Sequence, residues 1–187
     1  MTNRRPVTVL LCLAAGSIAV AAGLYFGRFI ALGAGSLVVM GASGQGASLN
    51  AISLITGIAW WAFMGLIAAP SLGYSALSKP HRLRFVWMTI LGFALGGLLA
   101  ALLGQAGIAG RDTLLSNAAV PLGGALAGLL MGFGARLGVR AAILAIALAV
   151  AMLIARPLLA LIPPSDLVVL LAPGAIAGAT LAALTPG

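Results

Sequence analysis

Glutamate is missing from this chain of 187 residues, and its only acids are Asp112 and Asp166. Histidine and cysteine occur once each, as His81 and Cys12. These shortages exclude a good deal. General acid–base catalysis and proton relays run on paired carboxylates or on histidine with a partner, and neither pair can be assembled here. A metal centre needs several His, Cys or carboxylate ligands, so no metal is expected. A single cysteine forms no intrachain disulfide, and Cys12, set inside an apolar run, reads as a small lipid- or core-facing residue. No GxSxG is present, and GASGQGAS lacks the lysine and the strand–helix setting of a phosphate loop. The chain is therefore not expected to be an enzyme or to carry a cofactor.

Charge is scarce as well. Charged residues make up 6% of the sequence and hydrophobic residues 63%, against roughly 25% charged in a soluble domain. Apolar runs of about 20 residues, enough to cross a bilayer, recur from end to end. The partner of this chain is the lipid bilayer, and residues 1–187 form a single membrane-embedded helical domain. The net charge of +8 comes from basic residues placed between apolar runs. That is a topology signal and does not point to nucleic acid.

Taken in chain order, Arg4 and Arg5 precede a first span, Val7 to Gly27, which is longer than a signal-peptide core of ~7–15 residues and is read as retained. Cleavage near Ala19 to Ala22 is the alternative. Tyr25 and Arg28 are expected to mark the far interface. Phe29 to Trp61 comes next, apolar at both ends and interrupted by MGASGQGASLN (Met40 to Asn50). Ala51 to Ala69 is the next span, and Pro70 to Arg84 the one extended loop, holding Lys79, His81, Arg82 and Arg84. Further spans are Phe85 to Gly104, Leu114 to Leu137, Ala141 to Ile162 and Leu167 to Leu184. Arg111 and Asp112 cancel within one turn. Arg136 and Arg140 share a helical face suited to anionic headgroups. Arg156 is expected to snorkel, with Asp166 as a partner across Pro163–Pro164.

Charge asymmetry selects among topologies. With the amino terminus in the cytoplasm and Phe29 to Asn50 not crossing, Lys79, Arg82, Arg84, Arg136 and Arg140 all face inward. The fold expected is all-α: a polytopic bundle of about six spans plus a broken or re-entrant Gly-rich segment, both termini cytoplasmic. A full crossing at residues 29–50 and a seven-span arrangement are the alternatives.

The interrupted stretch is where a site is expected. Irregular backbone at membrane depth is tolerated only where protein or water covers it, and carriers place half-helix ends at such points. Ser43, Gln45, Ser48 and Asn50 are the candidate lining of a polar pore or substrate path. Ala172-Pro173-Gly174, breaking the last helix, is its mirror. An ordinary cytoplasmic turn is the plainer reading. Neutral groups suit a permease or channel-like facilitator better than an ion-driven pump. The alternative is a non-transporting structural or accessory subunit of a membrane complex. Glycines four apart (Gly23 and Gly27; Gly92 and Gly96; Gly124, Gly128 and Gly132; Gly174 and Gly178) form small-residue helix faces. These faces serve either packing inside the bundle or a homo-oligomer or membrane partner.

Two stretches resemble a bacterial inner-membrane family typified by YcdZ: GASGQGASLNAISLITGIAWWAFMG, and RFVWMTILGFALGGLLAALLG followed by NAAVPLGGALAGLLMGFGARLGVRAA. Together they cover about two fifths of the chain. The chain departs from that family in lacking a span between the two stretches and in adding two after Arg140. The first stretch also resembles the glycine turn of fusaric-acid-resistance-type aromatic acid exporters, without the basic residues expected after it. The resemblance implies a multi-pass protein of the bacterial inner membrane, with no substrate and no site residue attached.

Overall fold

The computed structural model describes residues 5–41, 49–77, 79–161 and 167–185. Among them the chain is helical throughout: α1 (Arg5–Gly41), α2 (Leu49–Ala76), α3 (Lys79–Gly110), α4 (Thr113–Gly134), the 3-10 turn η1 (Gly138–Arg140), α5 (Ala141–Leu161) and α6 (Leu167–Leu184). Pro6–Leu37, Leu54–Ala76, Lys79–Gly110 and Thr113–Gly134 are long and apolar enough to cross a membrane, and Gly138–Ile154 and Pro173–Leu184 are shorter apolar stretches. Six helices in one bundle agree with the all-α class expected, four of them long and apolar enough to span a membrane.

Each helix packs on its chain neighbour, and α6 returns against both α5 and α1, so the six close into a ring. Glycine sets the spacing. Gly23 and Gly27 lie against Met64 and Trp60 of α2, and Gly65 against Phe93 of α3. Gly96 and Gly123 meet backbone to backbone between α3 and α4, as do Gly16 and Gly174 between α1 and α6. A Cβ on Gly128 would stand 2.6 Å from the Leu144 carbonyl oxygen. Such close backbone approach at small residues is the packing device that helices use in a bilayer, where no hydrophobic drive acts between them. The faces formed by glycines four apart all meet partners inside this chain.

Four boundaries differ from expectation. The apolar arm Phe29 to Met40 is not a separate segment, because α1 runs unbroken for 37 residues, about 55 Å at 1.5 Å per residue. No proline or polar cluster stops it, and the interface expected at Tyr25 and Arg28 falls inside a helix. The loop Pro70 to Arg84 is mostly helix, with Pro70 inside α2 and His81 in the first turns of α3. Around that proline, Ser71 Oγ donates to the Ile67 carbonyl at 2.9 Å and Ser75 Oγ to the Ser71 carbonyl at 2.7 Å, the kind of local adjustment that lets membrane helices carry proline. Pro173 likewise lies within a continuous α6. Finally, α4 ends at Gly134, so Arg136 and Arg140 stand in the connection to α5 and not on one helical face.

The ring is sealed unequally. Its buried interior among the described residues is apolar apart from Thr89, and includes Leu72, Phe85, Phe93, Met131, Leu144, Leu148 and Leu181. The helix α6 meets only the first half of α1, with Gly178 on Cys12 and Gly174 on Gly16, a register that brings Leu167 level with Gly23. Beyond that level α1 continues beside α2 among the described residues. There Phe26, Phe29, Ile30, Leu32, Leu37 and Met40 are exposed, and a Cβ on Gly33 would meet nothing within 4 Å.

Candidate functional site

Antiparallel neighbours sort the polar residues into two ends. Arg5, Lys79, His81, Arg82, Arg84, Arg136 and Arg140 belong to the end where α2 and α4 finish and α3 and α5 begin. Arg111 and Asp112 belong to the opposite end, with Gly41 and Leu49. Ser43, Gln45 and Ser48, the expected polar lining, lie outside the described residues. Asn50 falls in the first turn of α2 at this second end.

Two residues join Asn50 there that no local pattern in the sequence marks out. Gly107 sits against Ser116, and Gly104 against Ala119, so Gln105 of α3 and Asn117 of α4 come to the same level. The α2–α3 register, with Gly57 on Ala101 and Gly65 on Phe93, carries Asn50 to within about a turn of that level. The chain holds five Asn and Gln residues, and Asn50, Gln105 and Asn117 thus gather at one end from three different helices. Counting outward from the turn at Arg111–Asp112 would have paired Gln105 with Asn117. Thr56, facing Gly35 of α1, adds a hydroxyl deeper along the same half.

What this end can do is form hydrogen bonds without charge. Amides and hydroxyls offer donors and acceptors but no general base and no fixed charge for an ion. Among the described residues no group of three His, Cys, Asp or Glu comes together. Asp112 is engaged locally: its Oδ1 accepts from the Leu114 and Leu115 amides at 2.9 and 3.1 Å and so caps α4. Mutual neutralisation of Arg111 and Asp112 is therefore only part of that turn's role.

Toward the basic end the interior among the described residues is apolar and closely packed. Trp61 lies over Gly97 and beside Phe93, with ring centroids 6.2 Å apart, and Phe85 and Met131 fill the space below. Thr89 points to the middle of the buried face of α3, fully buried, its Oγ1 without a partner. Trp60 Nε1 is also buried without a partner, against Gly27. Cys12 is core-facing, packed on the Gly178 backbone. Arg156 stands in α5, and its expected partner Asp166 lies outside the described residues.

No family model, curated protein or solved structure matches the chain.

Proposed function

We propose that this is a small multi-pass protein of the bacterial inner membrane that acts as a permease or channel-like facilitator for a small neutral, hydrogen-bonding solute. The observation that carries this reading is the gathering of Asn50, Gln105 and Asn117 at one end of a bundle whose other half is sealed by apolar side chains. The arrangement is that of a closed conformation with a polar mouth. The basic end faces the cytoplasm, following the positive-inside bias. The mouth then opens outward, and Ser43, Gln45 and Ser48, which lie outside the described residues, are its remaining candidate lining. The resemblance to the YcdZ type supports the inner-membrane assignment.

The test uses single cysteines at Asn50, Gln105 and Asn117 in a Cys12→Ala background. An impermeant thiol reagent should label them in intact cells, while Lys79→Cys labels only after permeabilisation. Proteoliposomes should then swell in glycerol or urea faster than protein-free vesicles, and Gln105→Leu with Asn117→Leu should slow that swelling. Cysteines that stay unlabelled from outside, together with swelling no faster than in empty vesicles, would refute the reading.

A second reading, an accessory subunit of a membrane complex, is favoured by one feature: the exposed arc of α1 from Phe26 to Met40, centred on the open Gly33. Such a partner would dock there, since the glycine faces are occupied within the chain.

A further inference from the structure

The basic end has more cation than the fold uses. Arg82 is engaged: its Nε donates to the Leu77 carbonyl at 2.9 Å, and its guanidinium stacks 4.7 Å from the Tyr74 ring centroid. It thereby closes off the carboxyl end of α2, where a cation also suits the helix dipole. Arg84, Arg136 and Arg140 have no such partner. Each is exposed, and none makes a side-chain hydrogen bond or ion pair among the described residues. The acid that the structure describes, Asp112, is at the far end.

The packing brings these three together. Gly134 rests on the backbone of Phe85 and on Met88, and Gly132 on Ala141. The end of α4 therefore meets the start of α3 on one side and the start of α5 on the other, with Arg84, Arg136 and Arg140 each within two residues of one of these contacts. Arg136 also holds a conformation glycine would hold more easily. The Leu137 amide bonds the Gly132 carbonyl at 3.0 Å and the Arg136 amide bonds the Phe133 carbonyl at 3.2 Å. These are the two hydrogen bonds of a Schellman ending, whose left-handed residue is usually glycine. Arginine occupies it here at φ 59°. Beside the three arginines, Leu83, Trp87 and Val139 are exposed at 71%, 64% and 93%, an apolar border that free phosphate has no use for and acyl chains do.

We propose that Arg84, Arg136 and Arg140 form a binding site for the phosphate headgroup of an anionic glycerophospholipid, whose acyl chains lie along Leu83, Trp87 and Val139. Three phosphate-binding cations, with no carboxylate among the described residues at that end, supply the charge complementarity.

Native mass spectrometry of the full chain in detergent, with phosphatidylglycerol and phosphatidylcholine in competition, tests this. A basic residue near anionic headgroups is worth roughly fivefold, so three should favour phosphatidylglycerol by on the order of 100-fold. The R84Q/R136Q/R140Q variant should bind the two lipids alike, whereas R82Q and R111Q keep the preference. If the triple variant does not fold, Arg136→Gly serves: it relieves the left-handed strain, so it should melt no lower than the parent and still lose about fivefold in lipid preference. An unchanged preference in these variants overturns the proposal, as does an equal loss in R111Q. Protection of the site by inorganic phosphate as strong as by phosphatidylglycerol would assign it to the free anion and overturn the lipid.

Discussion

Two turns of the same backbone design sit at opposite ends of this bundle. Helix α3 ends with the Asp112 amide on the Gly107 carbonyl and the Arg111 amide on Ile108, and α4 ends with Leu137 on Gly132 and Arg136 on Phe133. Each places an arginine in the left-handed region, at φ 53° and 59° respectively. The residues after the arginine differ. Arg111 is succeeded by Asp112, which caps the next helix and balances the charge within one residue. Arg136 is succeeded by Leu137, Gly138, Val139 and Arg140, which add a second cation and no cap. Among the described residues, the first turn carries its own counter-charge and the second does not.

The largest effect should come from the two halves of the ring. Gly128→Leu drives a side chain into the Leu144 carbonyl and the Ala145 backbone, which cannot swing aside as a side chain can, and should cost about 3 kcal/mol or more. Gly33→Leu adds the same atoms where nothing lies within 4 Å. Thermal unfolding in detergent should show a large drop for the first and little change for the second. Equal drops would mean that the overhanging part of α1 is packed as closely as the sealed half, and the distinction between them would fail.

Much of this arrangement is legible in the sequence, for reasons that can be named. The apolar runs, the spacing of the basic residues and the glycines four apart all express one constraint, backbone satisfied by helix and helices packed by small residues in lipid. The departures share a cause too. Pro70 and Pro173 would break helices in water, but helices long and apolar enough for a membrane can run through such residues. The convergence of Asn50, Gln105 and Asn117 is a property of three registers and has no local signature. The left-handed arginines are invisible in the sequence, because nothing in GARLGVR announces that Arg136 occupies a position glycine would fill more cheaply.

A smaller effect separates the two turns. Asp112→Ala removes both hydrogen bonds to the first turn of α4 and should lower stability by about 1 kcal/mol. In a chain of this size that is a shift of about 2–4 °C in Tm. Asp112→Asn keeps the acceptor oxygen and should recover most of the loss. Were the asparagine variant as unstable as the alanine, the role of Asp112 would be its charge beside Arg111 and not its cap.

The smallest effect concerns the sealed half and bears on function. Thr89 is a fully buried hydroxyl with no partner in an apolar interior, and such a group costs free energy that valine of the same shape does not. Thr89→Val should therefore raise stability, by about 1 kcal/mol, measured as a small increase in Tm. For a bundle that only holds its shape, the valine variant is an improvement with no drawback. For a facilitator it is not, because the solute must at some stage pass the level of Phe85 and Met131, and Thr89 is the hydrogen-bonding group found there. Thr89→Val should then melt higher and yet slow swelling in glycerol or urea. A variant that is more stable with swelling unchanged would place the solute path elsewhere, along the overhanging half of α1 and α2.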